Sequence, residues 1–230
     1  MTGGSNMIEQ LRAALAPHGV FVRGVVVFDG SDGPMLANGA QAQSVVLLGN
    51  VGGSIWEPFS RWRQLPGNVD LRDPLDHWSK SIIRPISEAT GSTAYFPSDP
   101  PWQPFQQWAM HAEGLKASPL GILIHPEYGL WHGYRGALGF AERLEDDQPW
   151  KVAAHPCELC VEKPCLTRCP VQAVTSVGFD VGGCRSHLRT DAGRAGCMAI
   201  GCLARNACPV GRGYRYPPAQ IAFHMAALHL

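Results

Sequence analysis

Eight cysteines lie between residues 157 and 208, and none precedes them in a chain of 230 residues. The first four, Cys157, Cys160, Cys165 and Cys169, are spaced C-x2-C-x4-C-x3-C and are closed by Pro170. A cube of iron and sulfide needs thiolates on all sides, and a tight loop supplies three of them from one short segment. In the bacterial ferredoxin run C-x2-C-x2-C-x3-C-P the fourth cysteine serves the other cluster. Here the middle gap is two residues longer, and the C-x3-C-P ending is intact. Downstream, Cys184, Cys197, Cys202 and Cys208 form a second group, closed by Pro209. Exchanging one ligand between the groups assigns Cys157, Cys160, Cys165 and Cys208 to one [4Fe-4S] cluster and Cys169, Cys184, Cys197 and Cys202 to another. Structural zinc accepts four thiolates equally well, although its ribbons usually show paired C-x2-C knuckles and only one is present here. A secreted disulfide framework would be spread through the chain, and these cysteines are not.

Composition bounds the partners. Nineteen basic residues balance nineteen acidic ones, so no overall field draws the chain to nucleic acid or to an anionic membrane. No apolar run approaches the roughly 18 residues of a membrane span, and "MTGGSNMIEQ" lacks the basic and apolar regions of an export signal. The expectation is a cytoplasmic protein without a nucleic-acid or membrane partner. A hydrophobic content of 45% suits a globular core with a smaller unit appended.

The elements that must position the cysteines read as follows. "NMIEQLRAALAPHG" predicts a helix, with Asn6 and Glu9 as a capping box and Pro17 and Gly19 as its stop. "VFVRGVVVF" and "SVVLLG" predict buried strands, with turn chemistry between them. "GNVGGS" then leads into an amphipathic helix at "SIWEPFSRWRQL"; lacking G-x-G-x-x-G and a Walker lysine, it reads as a tight turn. Asp73, Pro74 and Gly91 bracket a further helix that Pro85 should kink or shorten. A proline-rich loop feeds a helix at "FQQWAMHAEGL", and "LGILIHPEYGLWHGYRGALGF" predicts a hairpin. The polar stretch "AERLEDDQPWK" places a domain boundary near residue 150. The fold class is α+β, with an α/β sandwich over 1–150 and a cysteine-rich unit over 151–230 too small for an ordinary core, so that metal must supply part of its folding energy.

The tail, with "GGCRSHL" and "GCLARNACP" after the first run, resembles the iron–sulfur module of epoxyqueuosine reductases and reductive dehalogenases. Those families place the module behind a corrinoid-binding domain. The first part resembles the CblC (MMACHC-like) vitamin B12 processing proteins through "IEQLRAALAPHGV", "SVVLLGNVGGSIWEPF", "RDPLDHW", "AMHAEGL" and "ILIHPEYGLWHGYRGAL", in that order over most of residues 8 to 140. CblC proteins lack the cysteine tail, so the chain reads as a composite. The resemblance implies a nitroreductase-like (CblC-type) fold followed by a small ferredoxin-like domain with two [4Fe-4S] clusters. It also implies corrinoid contacts at His111, a glutathione-type contact at Arg135, and a turn beside the pocket formed by His125, Pro126, Tyr128, Gly129 and Trp131. Residue by residue, the ordinary alternatives are a helix-surface histidine, a surface cation and core aromatics.

The function so implied is a cobalamin-binding redox protein of the cobalamin reductase or processing type, fed by an upstream electron donor, passing electrons from the clusters to cobalt. The resemblance does not say which residues are catalytic. Two alternatives stand beside it: a cobalamin-dependent reductase of an organic substrate, and a ferredoxin-type electron carrier that binds no corrinoid.

Overall fold

The valine-rich runs form the centre of the first part of the chain. In the computed structural model, which describes residues 3–30, 32–146 and 154–228, β1 (Phe21–Val27) and β2 (Ser44–Val51) pair antiparallel. Seven of the eight β2 residues are buried, which suits a strand covered on both faces. The sheet has four strands in the order β1-β2-β6-β3, with β3 (Thr93–Tyr95) antiparallel to β6 (His132–Phe140).

Helix α1 (Gly3–Leu15) packs on β1 through Ile8, Leu11 and Leu15, three and four residues apart on one face. It begins ahead of Asn6, so the Asn6–Glu9 box does not start it; Glu9 pairs instead with Arg12. Helix α2 (Trp56–Arg63) contacts α3 (Pro74–Thr90). The latter buries Leu75, Trp78, Ile82 and Ile83 and ends on left-handed Gly91 as predicted. It also continues past Pro85 without being shortened there; Pro85 sits on the exposed side, where solvent can satisfy the carbonyl that proline leaves unbonded. Helix α4 (Phe105–Glu113) packs on β1.

The chain divides into two compact units: one of the described residues within Met1–Gly114 and Gly133–Val152, the other of those within Leu115–His132 and Ala153–Leu230. The predicted boundary near residue 150 lies outside the described residues, while residues 115–132 belong with the cysteines. The predicted hairpin over this stretch does not form. Strand β5 (Leu123–Ile124) pairs with β4 (Lys116–Ala117), and an isolated bridge between His125 and Gly129 closes the turn ahead of β6. The nearer partner wins because Gly121, at φ +75, reverses the chain between β4 and β5.

The rest of the second unit is a succession of short helices: α5 (Pro156–Leu159), α6 (Pro164–Thr167), α7 (Val181–Leu188), α8 (Asp191–Gly193) continuing as a π-helical turn over Arg194–Met198, α9 (Leu203–Asn206) and α10 (Pro218–Ala226). Among the described residues no helix is long and apolar enough to cross a membrane.

Candidate functional site

The cysteines are presented by short helices and the turns that flank them. Cys157 follows His155, whose Nδ1 accepts the Cys157 amide at 3.0 Å and caps α5, and Cys160 closes the same helix. Cys165 lies in α6 and Cys169 just beyond it; Cys202 is the residue ahead of α9 and Cys208 lies just past its end. Helices α6 and α9 touch. Cys184 sits in α7, which Asp180 caps through the Gly183 amide at 2.9 Å, and Cys197 lies in the π-helical turn.

The thiols fall into two sets by their mutual electrostatics. Burial first, then charge on Cys208, Cys165 and Cys160, pushes Cys157 up to about 11. Cys165 is raised by burial and then by Cys208 and Cys160, and Cys208 by burial and then by Cys160. In the other set burial, then Cys202, Cys169 and Cys197, raises Cys184. Cys202 is raised by burial, against the amides of Arg205 and Ala204, with Cys197 and Cys169 adding to the rise. Cys157, Cys160, Cys165 and Cys208 are therefore neighbours, as are Cys169, Cys184, Cys197 and Cys202. Helix α6 carries one member of each set at its two ends, and α9 carries one of each in the reverse order.

The Ala173 amide donates to the Cys169 sulfur at 3.3 Å, and the backbone of Arg205 and Ala204 lowers Cys202 and that of Val210 lowers Cys208 against the rise from burial. Such donors favour the ionised thiolate that a metal requires. One apolar cluster, Leu120, Ile124, Leu130, Val174, Ala204 and Cys208, packs against cysteines of both sets. No three or more His, Cys, Asp or Glu side chains among the described residues are gathered as a single metal ion would need. Zinc draws its sulfurs to about 2.3 Å from one point, whereas a cluster carries its thiolates on separate irons around a cage, and membership of the sets is what bears on it.

The five residues proposed for corrinoid contact divide between the units. His111 lies exposed on α4 and Arg135 half-buried on β6, both in the first unit. In the second, His125 is buried and its Nδ1 accepts the amides of Glu127 (3.0 Å) and Tyr128 (3.1 Å), while the Tyr128 ring stacks on it at 4.1 Å. His125 thus holds the turn together. Trp131 is buried with Tyr216 and Ile221, edge-on to Tyr216 at 5.3 Å, and Arg205 stacks over it at 4.2 Å; a desolvated cation–π contact of this kind contributes about 2 kcal/mol. Two clefts of the first unit, about 320 and 390 Å³, have none of the five in their walls.

A buried polar network in the first unit has no counterpart in the sequence reading. A bulge between Val22 and Gly24 makes Arg23 the extra residue of β1 and turns it inward. Its guanidinium meets Glu113 at 2.6 Å and the Asn50 carbonyl at 3.1 Å, and the Tyr134 hydroxyl donates to the other Glu113 oxygen at 2.6 Å. Burial raises Glu113, opposed by the Arg23 charge. The only signal in the sequence is an arginine amid valines, which names no partner.

No protein-family model matches the chain, and no curated protein matches it. Among solved structures, it is similar to a B12-trafficking protein CblC from C. elegans, a homologue of human MMACHC, with a TM-score of 0.54 and 13% identity over 96% of this chain and 90% of that one. The fold is CblC-like. The match extends past residues 8–140, where the sequence resemblance lies, so the CblC-like arrangement is not confined to the part of the chain ahead of the cysteines.

Proposed function

We propose that this protein binds a corrinoid and processes it reductively, with two [4Fe-4S] clusters in its second unit supplying electrons singly toward cobalt. The observation that carries the reading is the partition of eight thiols into two sets of four, one cysteine exchanged between the two C-P segments, in a chain of CblC-like fold. When bound, such clusters supply one-electron chemistry at potentials reaching about −700 mV, low enough for strongly reduced cobalt.

The chain's own residues supply the rest. Cys157, Cys160, Cys165 and Cys208 hold one cluster; Cys169, Cys184, Cys197 and Cys202 hold the other. The amides of Ala173, Ala204, Arg205 and Val210 carry part of the sulfurs' negative charge. The Leu120–Ile124–Leu130 cluster keeps water from the sulfurs it covers. Burial raises Cys157, Cys165, Cys184, Cys202 and Cys208, so cluster assembly on them releases protons and is favoured as pH rises. His111, Arg135, His125, Tyr128 and Trp131 are the proposed corrinoid-contacting residues, and the corrinoid is taken as substrate. The protein is proposed to act in the cytoplasm and to receive electrons from an upstream donor.

The test is made on protein purified without oxygen: iron, sulfide and zinc are assayed, and the visible spectrum is recorded before and after hydroxocobalamin is added. About eight irons per chain and a shift to a base-off corrin spectrum are expected. Zinc in place of iron sinks the cluster half of the reading, and an unchanged corrin spectrum sinks the corrinoid half.

A further inference from the structure

Cys160 differs from the other three members of its set in what surrounds it. Cys157, Cys165 and Cys208 belong to the apolar packing around Leu120, Ile124, Leu130, Val174 and Ala204, and Cys160 is not part of it. Its chain neighbours are Leu159 and Val161, whose side chains are 70% and 95% exposed. Single exposed apolar side chains are ordinary, but here two of them flank the one thiol of the set that stands clear of the core. Two exposed cations belong to the same set: Lys163, the left-handed residue ahead of α6, and Arg212, which opens a short helical turn at Arg212–Tyr214. Among the described residues neither pairs with a carboxylate. The Lys163 charge acts on Cys157 and the Arg212 charge on Cys208, against the rise from burial. Of the two acids on this segment, Glu158 is engaged by Lys116 at 3.3 Å, which leaves Glu162. In the other set the charge nearest in kind is Asp180, which acts on Cys184 in the opposite sense.

We infer that the tip formed by Leu159, Cys160 and Val161, with Lys163 and Arg212, is where the electron donor docks, and that the donor is a protein carrier of single electrons whose redox group is ringed by carboxylates. The inference rests on the cluster reading above and adds an entry point to it, the cluster held by Cys157, Cys160, Cys165 and Cys208. One electron passes from the reduced carrier to that cluster; the carrier is oxidised as the cluster is reduced, and no bond is made or broken. Encounters of this kind use small interfaces with an apolar centre and a polar rim, weak enough to part after each transfer. Leu159 and Val161 supply the centre, and Lys163 and Arg212 the rim. Charge at a rim governs approach and orientation more than affinity.

The experiment follows cluster reduction by stopped flow in protein kept without oxygen, with reduced flavodoxin as an acidic protein donor and dithionite as a small donor that needs no docking surface. Leu159→Ser combined with Val161→Ser is expected to keep its iron, to slow reduction by flavodoxin about tenfold and to leave reduction by dithionite unchanged. Lys163→Gln combined with Arg212→Gln is expected to slow the flavodoxin reaction at low ionic strength and to flatten its salt dependence. Val177→Ser is the control: that valine is also 95% exposed, lies in a turn without a cysteine, and its replacement is expected to behave as wild type. A flavodoxin rate unmoved by the Leu159 and Val161 changes overturns the inference, as does a dithionite rate that falls equally, a Val177→Ser effect of the same size, or wild-type protein that dithionite reduces and flavodoxin does not. Sedimentation of each protein decides whether a second copy covers the tip instead: a dimer that the Leu159 and Val161 changes split overturns the inference. If those changes lose iron, the cation pair decides alone: a flattened salt dependence supports the inference and an unchanged one overturns it. Wild-type protein without iron overturns the cluster reading, and this inference with it.

Discussion

Cys160 closes α5 at an extended backbone position and acts electrostatically on Cys157, Cys165 and Cys208. Under the proposed two-cluster assignment, replacing it with serine is expected to lower iron by about half; iron left at the wild-type level would refute the assignment. A second prediction concerns Asp99, whose carboxylate accepts from Lys80 at 2.5 Å. That hydrogen bond, then the Lys80 charge, holds Asp99 below the usual carboxylate range. Because the folded value is depressed, the pair's contribution is present above the unfolded value of about 3.9 and is lost as pH falls through the lower folded value. Asp99→Asn is therefore expected to cost up to about 1 kcal/mol at neutral pH and nothing in strong acid. Denaturant unfolding at both pH values checks this, and an equal loss at both would show that the ion pair is not the cause. At this scale the two proline-closed cysteine groups were legible, because a thiol's spacing to a proline is local. Arg23 was not, because its burial depends on a bulge and on Glu113, which lies 90 residues away in sequence.

The strands β1 and β2 and the helices α2, α3 and α4 follow from hydrophobic periodicity and from proline and glycine punctuation. The connection through residues 115–132 does not. Its turn is docked by backbone: a Cβ on Gly129 would stand 2.1 Å from the Val210 carbonyl oxygen, and one on Gly211 would stand 2.3 Å from that of Tyr128, with both residues at left-handed φ. Close approach of two chains leaves only glycine in the sequence, and glycine is equally common in free turns. Gly129→Ala is expected to cost about 1–3 kcal/mol from overpacking and, under the proposed cluster assignment, to lower iron content because the displaced Val210 is two residues from Cys208. Gly121→Ala is the control. It has the same hand of φ but open space around it, and is expected to cost about 1 kcal/mol with iron unchanged. Equal effects at the two glycines would show that the docked backbone is not what holds the loop after Cys208.

Across the whole molecule the two units draw stability from different sources. The first has a four-stranded sheet with apolar helices on it; the second has a two-stranded ladder and small clusters into which the cysteines themselves are packed. If the second unit holds the proposed clusters, their removal is expected to unfold it and spare the first. Limited proteolysis should then cut within 115–132 and 154–228 while leaving 32–114 protected; protection throughout, or none anywhere, would contradict it. The path of the chain adds a consequence for inheritance and synthesis. The polypeptide leaves the first unit after Gly114, returns at Gly133 and belongs to the second unit again from residue 154, and β3 has β6 as its sheet neighbour. On the ribosome, β3 must wait for β6 while the turn that belongs with the cysteines is made between them. A gene cut near residue 150 would leave that turn behind, so the cysteine-bearing half is not a cassette that can be transplanted by joining ends.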